Sequence, residues 1–311
     1  MERTVGVRMR KGMQKAVRNY QLYLLVLLPV VFIIIFKYVP LWGAQIAFRD
    51  YKMGQGYTDG AFIGLANFQK FVNSPIFGKL MKNTISLNLT NLLIGFPFPI
   101  IMAIALHYCT FKRFSKVVQT TIYIPHFIST VVIVGLMATV LNTRTGVINV
   151  LIKAMGGRAV DFFGRPQYFK FLYVVSSIWQ SCGWNSIIYI SALTAVDPQL
   201  HEAAQMDGAS LVKRILHIDL PCIAPTMITL LILSMGSFFK TGFEKVYLMQ
   251  NSLNLSVSEV IDTYVYKMGL GSQGANFSYS TAIGLFQSFI GFILIIVTNK
   301  ISKTVSDNGI W

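Results

Sequence analysis

Six stretches of this chain are apolar, contain no carboxylate and reach about the length a helix needs to cross a bilayer. They cover roughly residues 20–42, 83–108, 121–141, 171–196, 222–239 and 280–299. A backbone in lipid must satisfy its own N–H and C=O groups, so runs of this kind fold as helices. The expected fold class is an all-α integral membrane protein of about six transmembrane helices. Composition agrees: the chain is 54% hydrophobic and 13% charged with mean hydropathy +0.56, whereas soluble domains carry about 25% charged residues.

Charge sets the expected topology. Residues 1–19 form a basic tail, with Arg3, Arg8, Arg10, Lys11, Lys15 and Arg18 against the single acid Glu2. Such a cluster beside a first apolar run stays cytoplasmic. Residues 20–42 form a first anchor, too long for a signal-peptide core and followed by no small-residue cleavage site, so it is expected to remain uncleaved. Lys112, Arg113 and Lys116 make a second inner turn, and Lys300 and Lys303 lead into a cytoplasmic tail, 301–311. Arg144, Lys153, Arg158, Arg165 and Lys170 fall in outer segments, but long loops translocate largely regardless of charge. The net charge of +15 lies in loops flanking apolar runs and not on a soluble face, which points to the lipid bilayer and away from nucleic acid. The expected location is a bacterial cell membrane, crossed several times, with both termini cytoplasmic.

Several local features follow. Gly95, Pro97 and Pro99 predict a bend or break in the second span, and Pro125 falls in the first turn of the third. Outer helices are expected over Leu65–Phe71 and Val257–Met268, the second with Ser256 and Glu259 in capping-box spacing.

Some chemistries are disfavoured. Gradient-driven carriers place ionisable groups or coordinating broken helices at mid-membrane, and the six runs hold no acid. A membrane hydrolase needs a base within reach of a nucleophile, and His107 and His126 lie only near span ends. Cys109, Cys182 and Cys222 are too scattered for a disulfide framework, and no metal site is expected. Gly78-Lys79 is followed by Leu80, so the chain carries no phosphate-cradling loop, no cofactor is expected on it, and any ATP is bound by another polypeptide. Asn88, Asn91, Trp179, Gln180, Trp184 and Asn185 sit inside the runs and admit two readings. They suit a sugar path, since sugars present hydroxyls and apolar faces together. Interhelical hydrogen bonding is the reading favoured for most of them, with Gln180 and Asn185 singled out for the path.

One polar segment between the fourth and fifth runs, residues 197–221, reads DPQLHEAAQMDGASLVKRILHIDLP. Asp197 with Pro198 starts a short helix, and Gly208 after Asp207 closes it in the left-handed conformation. Ser210 caps a second short helix, and Pro221 then opens the next membrane span. Glu202-Ala203-Ala204, three residues, Gly208, nine residues, then Ile218, Leu220 and Pro221 resembles the E-A-A-x3-G-x9-I-x-L-P loop of permease subunits in binding-protein-dependent ABC importers. Residues 20–51, Gly242–Met249, Val260–Tyr266 and 277–299 further resemble the carbohydrate branch that includes the alginate-type importers.

The resemblance implies a type I ABC importer permease fold over about residues 80–300, with 197–221 as the loop that docks on the ATPase. It implies as partners a second homologous permease, two ATPase subunits that use ATP and Mg, and an extracellular solute-binding protein. The cargo implied is an oligosaccharide. The alternatives are the same machine for another solute such as a peptide, or a self-sufficient secondary carrier.

Overall fold

Long apolar runs with few breakers set the element order. In the computed structural model the described residues are 18–271 and 275–306. Most of the basic tail and residues 307–311 lie outside them. Helix α1 (Tyr20–Ile33) passes through a π-turn, Ile34–Tyr38, into α2 (Val39–Gly43) and a 3-10 turn, Ala44–Phe48. No residue of α1 is buried, as expected for a helix that is hydrophobic all round and meets lipid. A two-stranded antiparallel ribbon follows, β1 (Arg49–Asp50) with β2 (Ala61–Phe62), and then α3 (Ala66–Val72).

Next come α4 (Phe77–Gly95) and α5 (Pro97–His107). The expected break at Gly95–Pro99 is confined to Phe96, because Pro97 takes the first position of α5, where a missing N–H costs nothing. The pair makes one span-length helix. The third expected span, 121–141, is corrected: α6 (Lys112–Tyr123), a 3-10 turn Ile124–Phe127 and α7 (Thr130–Val140) form a pair bent by 101°. Pro125 cannot continue the ladder, Ile128 and Ser129 are extended, and the Ser129 side chain accepts from Val132 N to start α7 afresh.

After α8 (Val147–Ala154) comes α9 (Pro166–Thr194), then α10 (Pro198–Met206), α11 (Leu211–Arg214), a π-turn Ile215–Asp219 and α12 (Leu220–Gly236). The second short helix, expected to end before a span opening at Pro221, is a further correction. The helix runs on from Leu211 to Gly236, the π-turn absorbing the hydrogen bond that Pro221 cannot donate. This span-length helix therefore contains an acid, Asp219.

The chain closes with α13 (Phe243–Met249), α14 (Leu255–Ser258), α15 (Ile261–Leu270) and α16 (Phe277–Ser306). The helix expected over Val257–Met268 is broken at extended Glu259 and Val260. Val260 N donates to Thr263 Oγ1, while Glu259 is drawn away to accept from Lys79 and Lys267, so the Ser256–Glu259 capping box does not form. Helix α16 extends past 299 and takes up residues 301–306 of the expected tail.

By length and composition four helices among the described residues can cross a membrane, or five with the bent pair, against the six expected. Helix α9 is not among the four. At 29 residues it spans about 43 Å, but Gln180, Asn185 and its serines dilute its apolar character.

Helix α9 is the hub of the bundle, with its largest contact on α5. One core cluster holds Ile100, Ala103, Tyr189, Leu193 and Ile223, and two others gather around Phe169, Tyr173 and Val246 and around Phe71, Ile261 and Tyr279. Tyr108 bonded to Asp219 marks one end of the bundle, and Lys79 paired with Glu259 marks the other.

Candidate functional site

The polar segment folds as its caps dictate. Asp197 accepts from Gln199 N at 2.9 Å and opens α10. At its far end Ala209 N donates to Ala204 O and Gly208 N to Gln205 O, a Schellman closure with Gly208 at φ +74°. Ser210 accepts from Lys213 N and opens α11. No residue of α10 is buried: Glu202, Ala203 and Asp207 are exposed and Ala204 half-buried. Leu200, Met206, Leu211 and Val212 add exposed apolar side chains around the same bend. Ile218 and Leu220 are half-buried and Pro221 exposed on the helix that follows. Sequence spacing thus brings Glu202, Ala203, Ala204, Asp207 and Gly208 into one protruding helix, while Ile218, Leu220 and Pro221 belong to its root.

At that root lies a buried carboxylate. Asp219 is fully buried, and Tyr108 Oη donates to its Oδ2 at 2.5 Å. His201 Nε2 of α10 lies 3.1 Å from Asp219 Oδ1, a close approach at an angle too poor for an aligned hydrogen bond. The sequence reading left position 219 as an open letter of the motif and did not single out Tyr108 or His201. The available signal was a lone acid two residues before an apolar run, which is costly to bury without partners.

Toward the opposite end a cavity of about 380 Å³ opens between α4–α5, α9 and the end of α12. Asn88, Asn91 and Asn185 line it with Ser181, Ser234, Ser237, Phe238 and Lys240. Asn88 Nδ2 donates to Thr241 Oγ1 at 3.1 Å, while Asn91 Oδ1 is buried with no hydrogen-bond partner among the described residues. Lys240 is the one Lys or Arg in the lining, and no carboxylate is there among the described residues. An acceptor, several amides, hydroxyls and an aromatic ring suit a polyhydroxylated ligand.

The other three residues with path readings lie elsewhere. Gln180 Nε2 donates to Ile128 O at 3.2 Å, and Trp184 stacks on His126 with centroids 4.4 Å apart. Both brace the bend between α6 and α7. Trp179 is half-exposed and does not line the cavity. Lys240, which does line it, was not singled out, because it follows an apolar run as any interfacial lysine does.

Comparison with known proteins joins the two features. Residues 95–307 match the family described as the binding-protein-dependent transport system inner membrane component. The chain is 44% identical over 297 residues to the polygalacturonan/rhamnogalacturonan transport system permease protein YteP of Bacillus subtilis, covering 96% of this chain and 92% of that protein. It is similar to a chain in the crystal structure of a bacterial alginate ABC transporter in complex with alginate pentasaccharide-bound periplasmic protein, at TM-score 0.86 and 35% identity over 96% of this chain and 99% of that one. A second such structure, of a bacterial ABC transporter involved in the import of the acidic polysaccharide alginate, matches at TM-score 0.84 and 35% identity over 94% and 98%. A bundle of span-length helices with a protruding capped helix and a polar cavity is thus a membrane transport permease with the type I ABC importer fold, and the chain belongs to the binding-protein-dependent transport system inner membrane component family.

Proposed function

We propose that this chain is the permease subunit of an ATP-driven importer that moves an oligosaccharide delivered by an extracellular solute-binding protein. The observation that carries this reading is α10, an exposed helix with Glu202 and Ala203 facing outward and a left-handed closure at Gly208, rooted in the membrane bundle through α9 and the Leu211–Gly236 helix. A helix built this way is a handle for a protein on the cytoplasmic side. Glu202, Ala203, Ala204, Asp207 and Gly208 form its docking surface, and Ile218, Leu220 and Pro221 fix its root. Two ATPase subunits hydrolyse ATP with Mg, and a second, homologous permease completes the path. A packed bundle with two arrangements is biased only by contacts that differ between them, and a docked ATPase supplies such contacts. Both termini lie on the cytoplasmic side, as does the basic tail, and the remaining spans, α9 and the bent α6–α7 pair among them, bring the crossings to six.

The cavity supports an acidic cargo. Lys240 lines it beside Asn88, Asn91 and Asn185 and is shared with Asp262 only in the adjoining groove, and the relatives named above are described as a polygalacturonan/rhamnogalacturonan transport permease and an importer of the acidic polysaccharide alginate. The test is reconstitution of the four-subunit complex in liposomes with its binding protein and tri-galacturonate, with maltotriose as the neutral control. ATP-dependent uptake of the galacturonate is the expected result. Gradient-driven uptake by this chain alone would instead establish a self-sufficient carrier, and ATP-dependent uptake of a peptide but neither sugar would reassign the cargo.

A further inference from the structure

Asp219 is a buried acid within the Leu211–Gly236 helix and takes no part in the docking surface of α10. It is one acid sunk among basic and polar side chains from three elements: Tyr108 at the end of α5, His201 on α10, and Arg214 one turn before it. His107 stands beside Tyr108 with ring centroids 5.1 Å apart. The backbone widens into a π-turn at Ile215–Asp219, and such turns recur at functional positions. Helix α10 itself has no fully buried residue, and between its ends it meets the bundle through the half-buried His201 and Ala204. Asp219 is therefore where a displacement of α10 meets both α5 and α12.

We propose that Asp219 is a positioning residue that latches α10 to α5 and α12, so that motion imposed on α10 is passed to two spans at once. The inference rests on the permease reading above and adds to it a residue that the loop signature leaves open. With the latch in place, Tyr108 donates to one oxygen of the carboxylate while His201 of α10 lies 3.1 Å from the other, so that a shift of α10 is felt at Tyr108 through Asp219. Without it, α10 rocks on its caps and the spans stay behind. Coupling is then lost while folding and nucleotide hydrolysis persist.

The experiment uses the full complex in liposomes, with Asp219→Asn, Tyr108→Phe and His201→Ala in this chain, and reads ATP hydrolysed per tri-galacturonate imported. Expected is a rise in that ratio of about five-fold or more in Asp219→Asn, with the other two shifted in the same direction and basal hydrolysis retained. General damage to the fold lowers basal hydrolysis and yield together and leaves the ratio where it was. Should Asp219→Asn fail to assemble, Tyr108→Phe decides, since it keeps both the ring and the carboxylate. An unchanged ratio in the assembled variants overturns the proposal. If the wild-type complex imports no tri-galacturonate, the proposed cargo fails, and the latch is read instead from the ATP-induced change in distance between spin labels at the exposed positions Ile101 on α5 and Phe292 on α16, which needs no cargo. Loss of that change in Asp219→Asn supports the latch, and its persistence overturns it.

Discussion

The Cα of Gly183 on α9 faces the carbonyl oxygen of Ile122 on α6 so closely that a Cβ there would stand 2.1 Å from that oxygen. In a bilayer, helices associate by close packing and hydrogen bonding, because lipid tails are as apolar as leucine. The hub helix therefore depends on a missing side chain at this crossing. Gly183→Ala is expected to destabilise the chain by about 1–3 kcal/mol through overpacking. Gly135→Ala on α7, where a Cβ meets nothing within 4 Å, is the control and leaves stability unchanged or slightly raised. Thermal unfolding in detergent distinguishes the two.

Gly208 adopts φ +74° at the end of α10, and Glu202 is exposed one turn before that end. Glu202→Lys is expected to leave membrane insertion and unfolding temperature intact while abolishing binding-protein-stimulated ATP hydrolysis. Gly208→Ala strains the closure by about 1 kcal/mol and weakens the stimulation without abolishing it. Hydrolysis assays on the assembled complex check both.

Lys240 is the one Lys or Arg lining the cavity. Lys240→Gln removes a charge-assisted contact worth about 1.5–3 kcal/mol, so the half-saturating concentration for tri-galacturonate uptake is expected to rise about ten-fold or more. Uptake of a neutral trisaccharide, where the complex shows any, does not change. Asn91→Ala removes the unpartnered acceptor and is expected to slow uptake of both.

Glu259 accepts from Lys79 and Lys267, each at 3.1 Å, in the break between α14 and α15. Burial raises its carboxyl, but the two lysines draw it down further, so it ends below its ordinary value. A depressed carboxylate contributes stability that is fully present above its unfolded pKa and is lost as pH falls through the folded one. Glu259→Gln is expected to cost about 1 kcal/mol at pH 7, the part-exposed lysines being screened, and nothing once the pH lies below both values. Unfolding midpoints of wild type and variant at pH 7 and in acid should therefore converge.

Much of the site was legible from local chemistry. Asp197, Pro198, Gly208 and Ser210 act through their own backbone hydrogen bonds and dihedral angles, so α10 and its ends follow from a few letters. Asn88, Asn91 and Asn185 could be singled out as polar residues inside apolar runs. Which of the polar residues share a cavity could not, because Gln180 and Trp184 differ from Asn185 only in the direction they leave α9. The break at Glu259 escaped notice for a similar reason: Lys79, 180 positions away in the chain, is what holds it.

The sequence by itself determined a helical membrane chain with one capped, protruding helix, since lipid forbids unsatisfied backbone and caps are built from neighbours. Tertiary structure alone decided the bend of α6 against α7, the run of one helix from Leu211 through Pro221, the cavity beside Lys240, and the burial of Asp219 under Tyr108 and His201. Each of these depends on groups brought together from distant parts of the chain, whose mutual distances no local pattern encodes.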